Sequence, residues 1–370
     1  MDSHPQTNWN AEPLQGTQAA QPPAGPQTYR LEFRGRAEEF FRIWIVNIVL
    51  SVLTLGVYYA WAKVRARRYL YANTYLAGHP FEYLAEPLPI LRGNLVVAAG
   101  LGLYYFANNL YPELGFLVVA GGFALLPWVI HQTLRFTAHN SAYRGIRFGF
   151  QGSLREAYFQ YFWLGLLAFI TLGLATPYVR FRQRQYIYNH IAYGATRSRF
   201  TGQLGFFWSV YLKAVGLALL LYLGVGLLAV LVFGAGAVLV PLPGADLLAL
   251  LAVLALSLLA LSALVVVQQY LYVRLTNHTW NHTTLGPLRL RARLRVRDLT
   301  WISLTNLLAV VLTLGLAIPW AKVRYLRHVL EHLLLQSEAE LDDLVAAGGP
   351  DRVASLGEAA TDILGLEIGL

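Results

Sequence analysis

The sequence predicts an all-α integral membrane protein: two full transmembrane helical hairpins plus three repeated helical elements, joined by short cytoplasmic β-like linkers. Three observations predict it. The chain has 370 residues, 56% of them hydrophobic and 13% charged, against about 45–50% and about 25% in an ordinary soluble protein. A Thr-Leu-Gly element occurs three times. Basic residues crowd the segments between apolar stretches and avoid the turns inside them.

The two hairpins are read from apolar length. Residues 206–233 and 247–273 form one pair, and 95–111 and 114–130 the other. A helix needs about 20 apolar residues to cross a hydrocarbon core about 30 Å thick. Residues 1–28, rich in Gln, Pro and Ala, read as a disordered leader without an apolar signal segment. Residues 29–335 make the repeat-containing membrane domain, and 336–370 an acidic soluble tail with eight acids against Arg352 alone. Without the tail, 28 bases face 12 acids. The chain has no cysteine, which excludes disulfides and thiolate metal sites.

The repeated element is Thr54-Leu55-Gly56, Thr171-Leu172-Gly173 and Thr313-Leu314-Gly315. At fixed offsets after the glycine stand an aromatic (Trp61, Tyr178, Trp320) and two bases (Lys63 and Arg65, Arg180 and Arg182, Lys322 and Arg324). An acid precedes each element (Glu39, Glu156, Asp298), and the first and third copies share Asn47 and Asn306. A second unit has the spacing Asn-x4-Gly, at Asn73, Asn140, Asn189 and Asn281, followed by alternating residues. Period two means strand. The run from Arg289 to Arg297 puts five arginines on one face and four apolar residues on the other.

Charge sets the topology. Each Thr-Leu-Gly element is basic on both sides, whereas the hairpin turns hold only Glu113 and Asp246. Under the positive-inside rule all basic linkers lie in the cytoplasm. The elements then enter and return on one side, with Gly56, Gly173 and Gly315, followed by Pro177 and Pro319 (Ala60 in the first copy), breaking the helix. The competing arrangement is a continuous spanning rod with its acid and base at opposite ends.

The run from Thr54-Leu55-Gly56 through Trp61-Ala62-Lys63-Val64-Arg65, then Arg68-Tyr69 and Asn73-Thr74, resembles the YjgN-like bacterial inner-membrane family. The likeness covers about residues 29–332. It implies a multi-pass protein of the cytoplasmic (inner) membrane and supplies no activity or catalytic residue. The second copy departs from the pattern, lacking Trp-Ala-Lys.

The candidate chemistry is sparse. Lys63, Arg65, Arg180, Arg182, Lys322 and Arg324 read either as snorkelling anchors beside interfacial Trp61, Tyr178 and Trp320, or as three copies converging on an anionic ligand, a phospholipid headgroup above all. Asn47 and Asn306 line a polar path or bond between helices. The repeated acids are a proton relay or simply helix N-terminal carboxylates. His328-x-x-Glu331-His332 matches a zinc-protease spacing, with His328 and His332 as weak ligand candidates against the reading of a drifted amphipathic helix; His278 and His282 form a similar pair. No nucleotide loop or catalytic triad is present, and no cofactor is expected. The expected partner is anionic lipid rather than nucleic acid, because the bases are confined to membrane-flanking loops. The expected function is binding or organising such lipid, with a transporter or channel for a small or anionic solute as the alternative, and an enzyme ranked behind both.

Overall fold

Five copies of one unit, strand–helix–turn–helix–strand, account for the residues that the computed structural model describes: 27–193, 196–239 and 245–337. The first comprises β1 (Gln27–Phe33), α1 (Ala37–Leu53), α2 (Tyr59–Ala72) and β2 (Thr74–Leu76). The second has β3 (His79–Tyr83), α3 (Pro87–Leu110), α4 (Pro112–His139) and β4 (Ser141–Tyr143). In the third, β5 (Ile146–Phe150) leads into α5 (Leu154–Ala157), a π-helical turn (Tyr158–Trp163) and α6 (Leu164–Ile170), then α7 (Thr176–His190) and β6 (Ile191–Tyr193). The fourth holds β7 (Thr196–Phe200), α8 (Leu204–Leu239), α9 (Ala245–Asn281) and β8 (Thr283–Leu285). The fifth ends the described chain with β9 (Leu288–Ala292), α10 (Val296–Leu312), α11 (Ile318–Glu331) and β10 (Leu333–Ser337). The expected leader and acidic tail lie outside the described residues, apart from the outer ends of β1 and β10.

The expectation of an all-α protein is overturned. The β-like linkers are the strands of a closed ten-stranded antiparallel barrel. The two strands of each unit pair, as in Leu31 with Leu76 and Phe148 with Tyr193. Neighbouring strands of successive units pair as well, and Tyr29 pairs with Leu335 to close the ring between β1 and β10. These strands are three to seven residues long, too short for much periodicity, and their partners lie a whole helical hairpin away. Two turns are Ala77-Gly78 and Arg144-Gly145, with positive φ at both residues, the backbone that matches the twist of a two-residue hairpin.

One face of the strands is apolar and buried. Leu76 and Leu288 are each 1% exposed, although they sit beside the turns, at the end of the barrel away from the helices. Only the barrel's own interior covers them, so Leu, Phe and Tyr side chains fill it. The other face carries Arg30, Arg34, Arg147, Arg197, Arg199 and Arg289, all exposed. The arginine run alternates as expected: Leu290, Ala292 and Leu294 are buried between exposed or half-buried arginines. The strand itself ends at Ala292, and Val296 already begins α10.

A repeated junction makes the units equivalent. The residue after each first strand donates its N–H to the residue that ends the second helix: Arg34 to Asn73, Leu84 to Asn140, Gln151 to His190, Thr201 to His282, Arg293 to His332, all at 2.8–3.0 Å. Helices leave their last carbonyls without intrahelical partners. The same five terminal side chains meet the carbonyl four residues back, at Tyr69, Phe136, Tyr186, His278 and His328 (2.7–2.8 Å). The shared Asn-x4-Gly spacing therefore hides two arrangements. Asn73 and Asn140 are these caps, whereas Asn189 and Asn281 stand one residue earlier and accept from Phe200 and Ala292 N–H.

Packing below the junction repeats too. In the first and third units a phenylalanine ring folds over a glycine two residues on, so that a Cβ on Gly35 or Gly152 would meet the ring at 2.6 or 2.5 Å. In the fifth unit the pair is exchanged, with Ala292 and Leu294 both buried, an exchange that keeps core volume roughly constant. Neighbouring units are clamped by Arg68 Nη2 on Ala85 O (2.9 Å), Asn277 Nδ2 on Leu294 O (2.8 Å) and Arg327 Nη2 on Gly35 O (2.8 Å). The last clamp closes the ring.

Candidate functional site: short hairpins and a belt of cations

Units one, three and five carry short helical hairpins, and units two and four long ones. In each short unit the junction residues are the same distance apart: 34 to 73, 151 to 190, 293 to 332. Among the described residues four helices, all in the long hairpins, are long and apolar enough to cross a membrane: Pro87–Leu110, Pro112–His139, Leu204–Gly234 and Asp246–Asn281. At 1.5 Å per residue α1, with 17 residues, reaches only about 25 Å.

The Thr-Leu-Gly elements are the tips of the short hairpins. Leu55, Leu172 and Leu314 have φ of 50, 50 and 49°, a left-handed conformation that is an outlier for such a residue, and are 96, 93 and 95% exposed. Gly56, Gly173 and Gly315 follow with φ of 90, 86 and 94°. Each tip satisfies its own backbone. Thr54 Oγ1 donates to Leu50 O (2.7 Å) and accepts from Tyr58 N–H (2.9 Å), while Gly56 N–H reaches Ser51 O (2.7 Å). Thr171 and Thr313 repeat the pattern. Around the tips Val52, Leu53, Phe169, Ile170, Leu174 and Leu312 are exposed. A turn with internally bonded polar groups and apolar surroundings is what hydrocarbon requires. Pro177 and Pro319 do not break a helix; they start one, in the first turn of α7 and α11, where a missing N–H costs nothing.

The acid and the bases of each element therefore belong to one hairpin rather than to opposite ends of a rod. Glu39 accepts from Tyr69 Oη (2.9 Å), which in turn caps α1 by accepting from Arg36 N–H (2.8 Å). Burial pushes the Tyr69 hydroxyl up to about 12. Glu156 caps α5 in a capping box with Ser153 and lies 3.4 Å from His190. Burial raises its pKa, but the Ser153 N–H and hydroxyl and the nearby His190 outweigh it, and the net shift is downward. These carboxylates are helix-terminal groups.

The six repeated bases stand on the second helix of each short hairpin, roughly 14 Å above the barrel and about 10 Å below the tip at 1.5 Å per residue. The structure does not bring the three sets together. Each set stands on its own unit, and two of the bases also lie near a neighbouring one: Lys322 Nζ is 5.9 Å from the Phe40 ring of unit one, and Arg180 is close to Tyr211 of unit four. Arg182 reaches Gln185 (3.2 Å), and Arg65 is exposed. Arg324 lies over Trp320 (5.1 Å) and donates to Thr305 Oγ1 (2.7 Å) and Asn306 Oδ1 (3.1 Å). Lys213 of α8 stands at a similar height, so the bases form a belt. Trp61 and Tyr178 are half-buried and Trp320 exposed. Asn47 and Asn306 are buried inside their hairpins and donate to Ala62 O (3.2 Å) and Ala321 O (3.0 Å), which ties the two helices together and gives no sign of a polar path.

His328 and His332 lie with ring centroids 4.2 Å apart and planes tilted by 36°, but His332 is tied to a helix-end carbonyl and Glu331 is exposed. Among the described residues no three His, Cys, Asp or Glu come together as a metal site would need. Beside them the sequence reading missed a cavity of about 300 Å³ between the fifth and first units, lined by Ala37, Ile302, Trp320, Val323, Arg324, Arg327, His328 and Glu331. The repeated junction bond, rather than any local motif, leads to it, because it aligns all five units.

A family model described as "Bacterial protein of unknown function (DUF898)" matches residues 28–363. Inner membrane protein YjgN of Salmonella typhimurium strain LT2 is 33% identical over 148 residues, 39% of this chain and 37% of that protein. Inner membrane protein YjgN of Escherichia coli strain K12 is 31% identical over 147 residues, 38% of this chain and 36% of that protein. The matched stretch thus spans little more than a third of these curated relatives. No solved structure matches.

Proposed function

The chain belongs to the DUF898 family and is a multi-pass protein of the bacterial inner membrane, and we propose that it binds and organises anionic lipid of the cytoplasmic leaflet through its belt of cations. In this reading the two long hairpins cross the bilayer, the barrel stays in the cytoplasm, and the three short hairpins dip only into the near leaflet. The observation that carries it is the vertical order within each short hairpin: an exposed apolar tip with a satisfied backbone, then two bases about 10 Å below it, then the barrel. Half of a hydrocarbon core is about 15 Å, so buried tips leave the bases at headgroup level, where each Lys or Arg gains about 1 kcal/mol from anionic lipid.

A transporter or channel has less support. Apolar side chains fill the barrel, and both asparagines of the suggested polar path bond to their own hairpins.

The test is the lipid that purifies with the protein. Replacing Lys63, Arg65, Arg180, Arg182, Lys322 and Arg324 with Gln is expected to strip most anionic phospholipid from the detergent-extracted protein. Unchanged anionic lipid per chain would refute the proposal.

A further inference from the structure

Resting on that reading, we propose that the cavity between units five and one is a built site for one phosphate diester of a phospholipid, held by Arg324, Arg327 and His328. The argument begins with the repeat. The residue four before the helix end is Tyr69, Phe136, Tyr186, His278 and His328 in the five units. Three of these bond the backbone at the start of their own unit's first helix: Tyr69 with Arg36, Tyr186 with Ser153 O (3.2 Å), and His278 with Gln203 N–H (3.1 Å). Phe136 has nothing to donate. His328 is the exception, for its Nε2 is buried with no hydrogen-bond partner. An unanswered buried polar atom costs about 1–3 kcal/mol, and this one belongs to a residue that lines the cavity.

The lining completes a site for a lipid phosphate. Arg324 uses one terminal nitrogen on Thr305 and Asn306, and Arg327 uses one on Gly35 O. Each keeps further N–H groups, and a guanidinium fork suits phosphate oxygens. Trp320, Val323 and Ile302 offer an apolar wall on the tip side, where an acyl chain would run. Glu331 lines the opposite, barrel side. Its carboxylate opposes a second negative charge, so a singly charged diester fits better than a doubly charged phosphate. Burial, and then the neighbouring His332, hold His328 below its usual pKa, so it joins as a neutral hydrogen-bonding group. Units five and one are also the only neighbours in the ring with no direct chain link, so a ligand here bridges the closing seam.

The experiment titrates purified protein in detergent with short-chain dihexanoyl-phosphatidylglycerol and, separately, with inorganic phosphate. The wild type is expected to bind the lipid probe at least tenfold more tightly than inorganic phosphate. His328→Phe, which copies Phe136, and Arg324→Gln, which copies Gln132 of the second unit, are each expected to weaken the probe at least tenfold. Glu331→Gln is expected to narrow the gap between probe and phosphate. Unchanged probe affinity in both His328→Phe and Arg324→Gln would overturn the site, and equal affinity for inorganic phosphate would overturn the assignment to a lipid. Replacing only Lys63, Arg65, Arg180 and Arg182 leaves every lining residue in place. Loss of bulk anionic lipid with retained probe binding in that variant therefore separates the belt from the seam.

Discussion

The short and long hairpins grow from the same junction and differ in what they do above it. From the junction upward, units two and four run from residue 84 to 140 and from 201 to 282, against 34 to 73 in unit one. In the most apolar 18-residue stretch of each long helix no more than 17% of the residues are buried. The short ones turn back after about 25 Å, through a strained leucine and a glycine, and carry their bases close to the turn. Reach above the barrel is therefore set by helix length, while the barrel and the junction stay constant. Under the proposed function, this gives two kinds of leg on one base, one to cross and one to stop partway.

If the junction is truly shared, damage to it should cost the same under either kind of hairpin. Phe150→Ala, under a short hairpin, and Phe200→Ala, under a long one, are each expected to lose about 3–5 kcal/mol in denaturant titrations in detergent. Gly152→Leu alone should cost about 1–3 kcal/mol through overpacking. The double change Phe150→Ala with Gly152→Leu should cost much less than the sum, because unit five already holds Ala292 with Leu294 in those positions. Additive losses would mean that the units are not interchangeable.

A smaller effect should fall on the short hairpins only. Thr171→Val and Thr313→Val each remove a hydroxyl that accepts from one N–H of the tip and donates to one carbonyl. Each is expected to cost about 1–2 kcal/mol, the worth of one or two hydrogen bonds, without changing the barrel's circular dichroism. The smallest effect concerns pH. His328 is held below its ordinary 6.5, chiefly by burial and then by His332 and Arg324, against Asp298. Between its folded and unfolded pKa the unfolded chain binds more protons. Its contribution is thus complete above about 6.5 and lost as the pH falls below that. His328→Phe should flatten the fall in stability between pH 7 and 5 by a small amount, measured by thermal unfolding.

Much of this was legible in the sequence, and the part that was not has a physical cause. The Thr-Leu-Gly tips announce themselves because a left-handed turn favours glycine and the threonine hydroxyl bonds the turn's own backbone. The long hairpins follow from apolar length. The barrel stayed hidden because β2, β4, β6 and β8 have three residues each, and because nothing local says that Phe148 will pair with Tyr193 across the whole of unit three. The arginine alternation from Arg289 was read correctly as two faces but not as the wall of a closed ring. For the site, the residue types were visible and the company they keep was not. His328 looked like half of a metal pair because its equivalents, Tyr69, Phe136, Tyr186 and His278, are of three residue types, which no single motif would catch.

The most direct test of the account is the depth of the short tips. Leu55, Leu172 and Leu314 are each replaced with Cys in a chain that has no other cysteine, and a fluorescent label there is read in liposomes against lipid-borne quenchers placed at graded depths. The account predicts strongest quenching from acyl positions in the leaflet nearest the barrel, and none by soluble iodide from the opposite side. Quenching by iodide added opposite the barrel, or by iodide on the barrel side with no response to the lipid-borne quenchers, would contradict it.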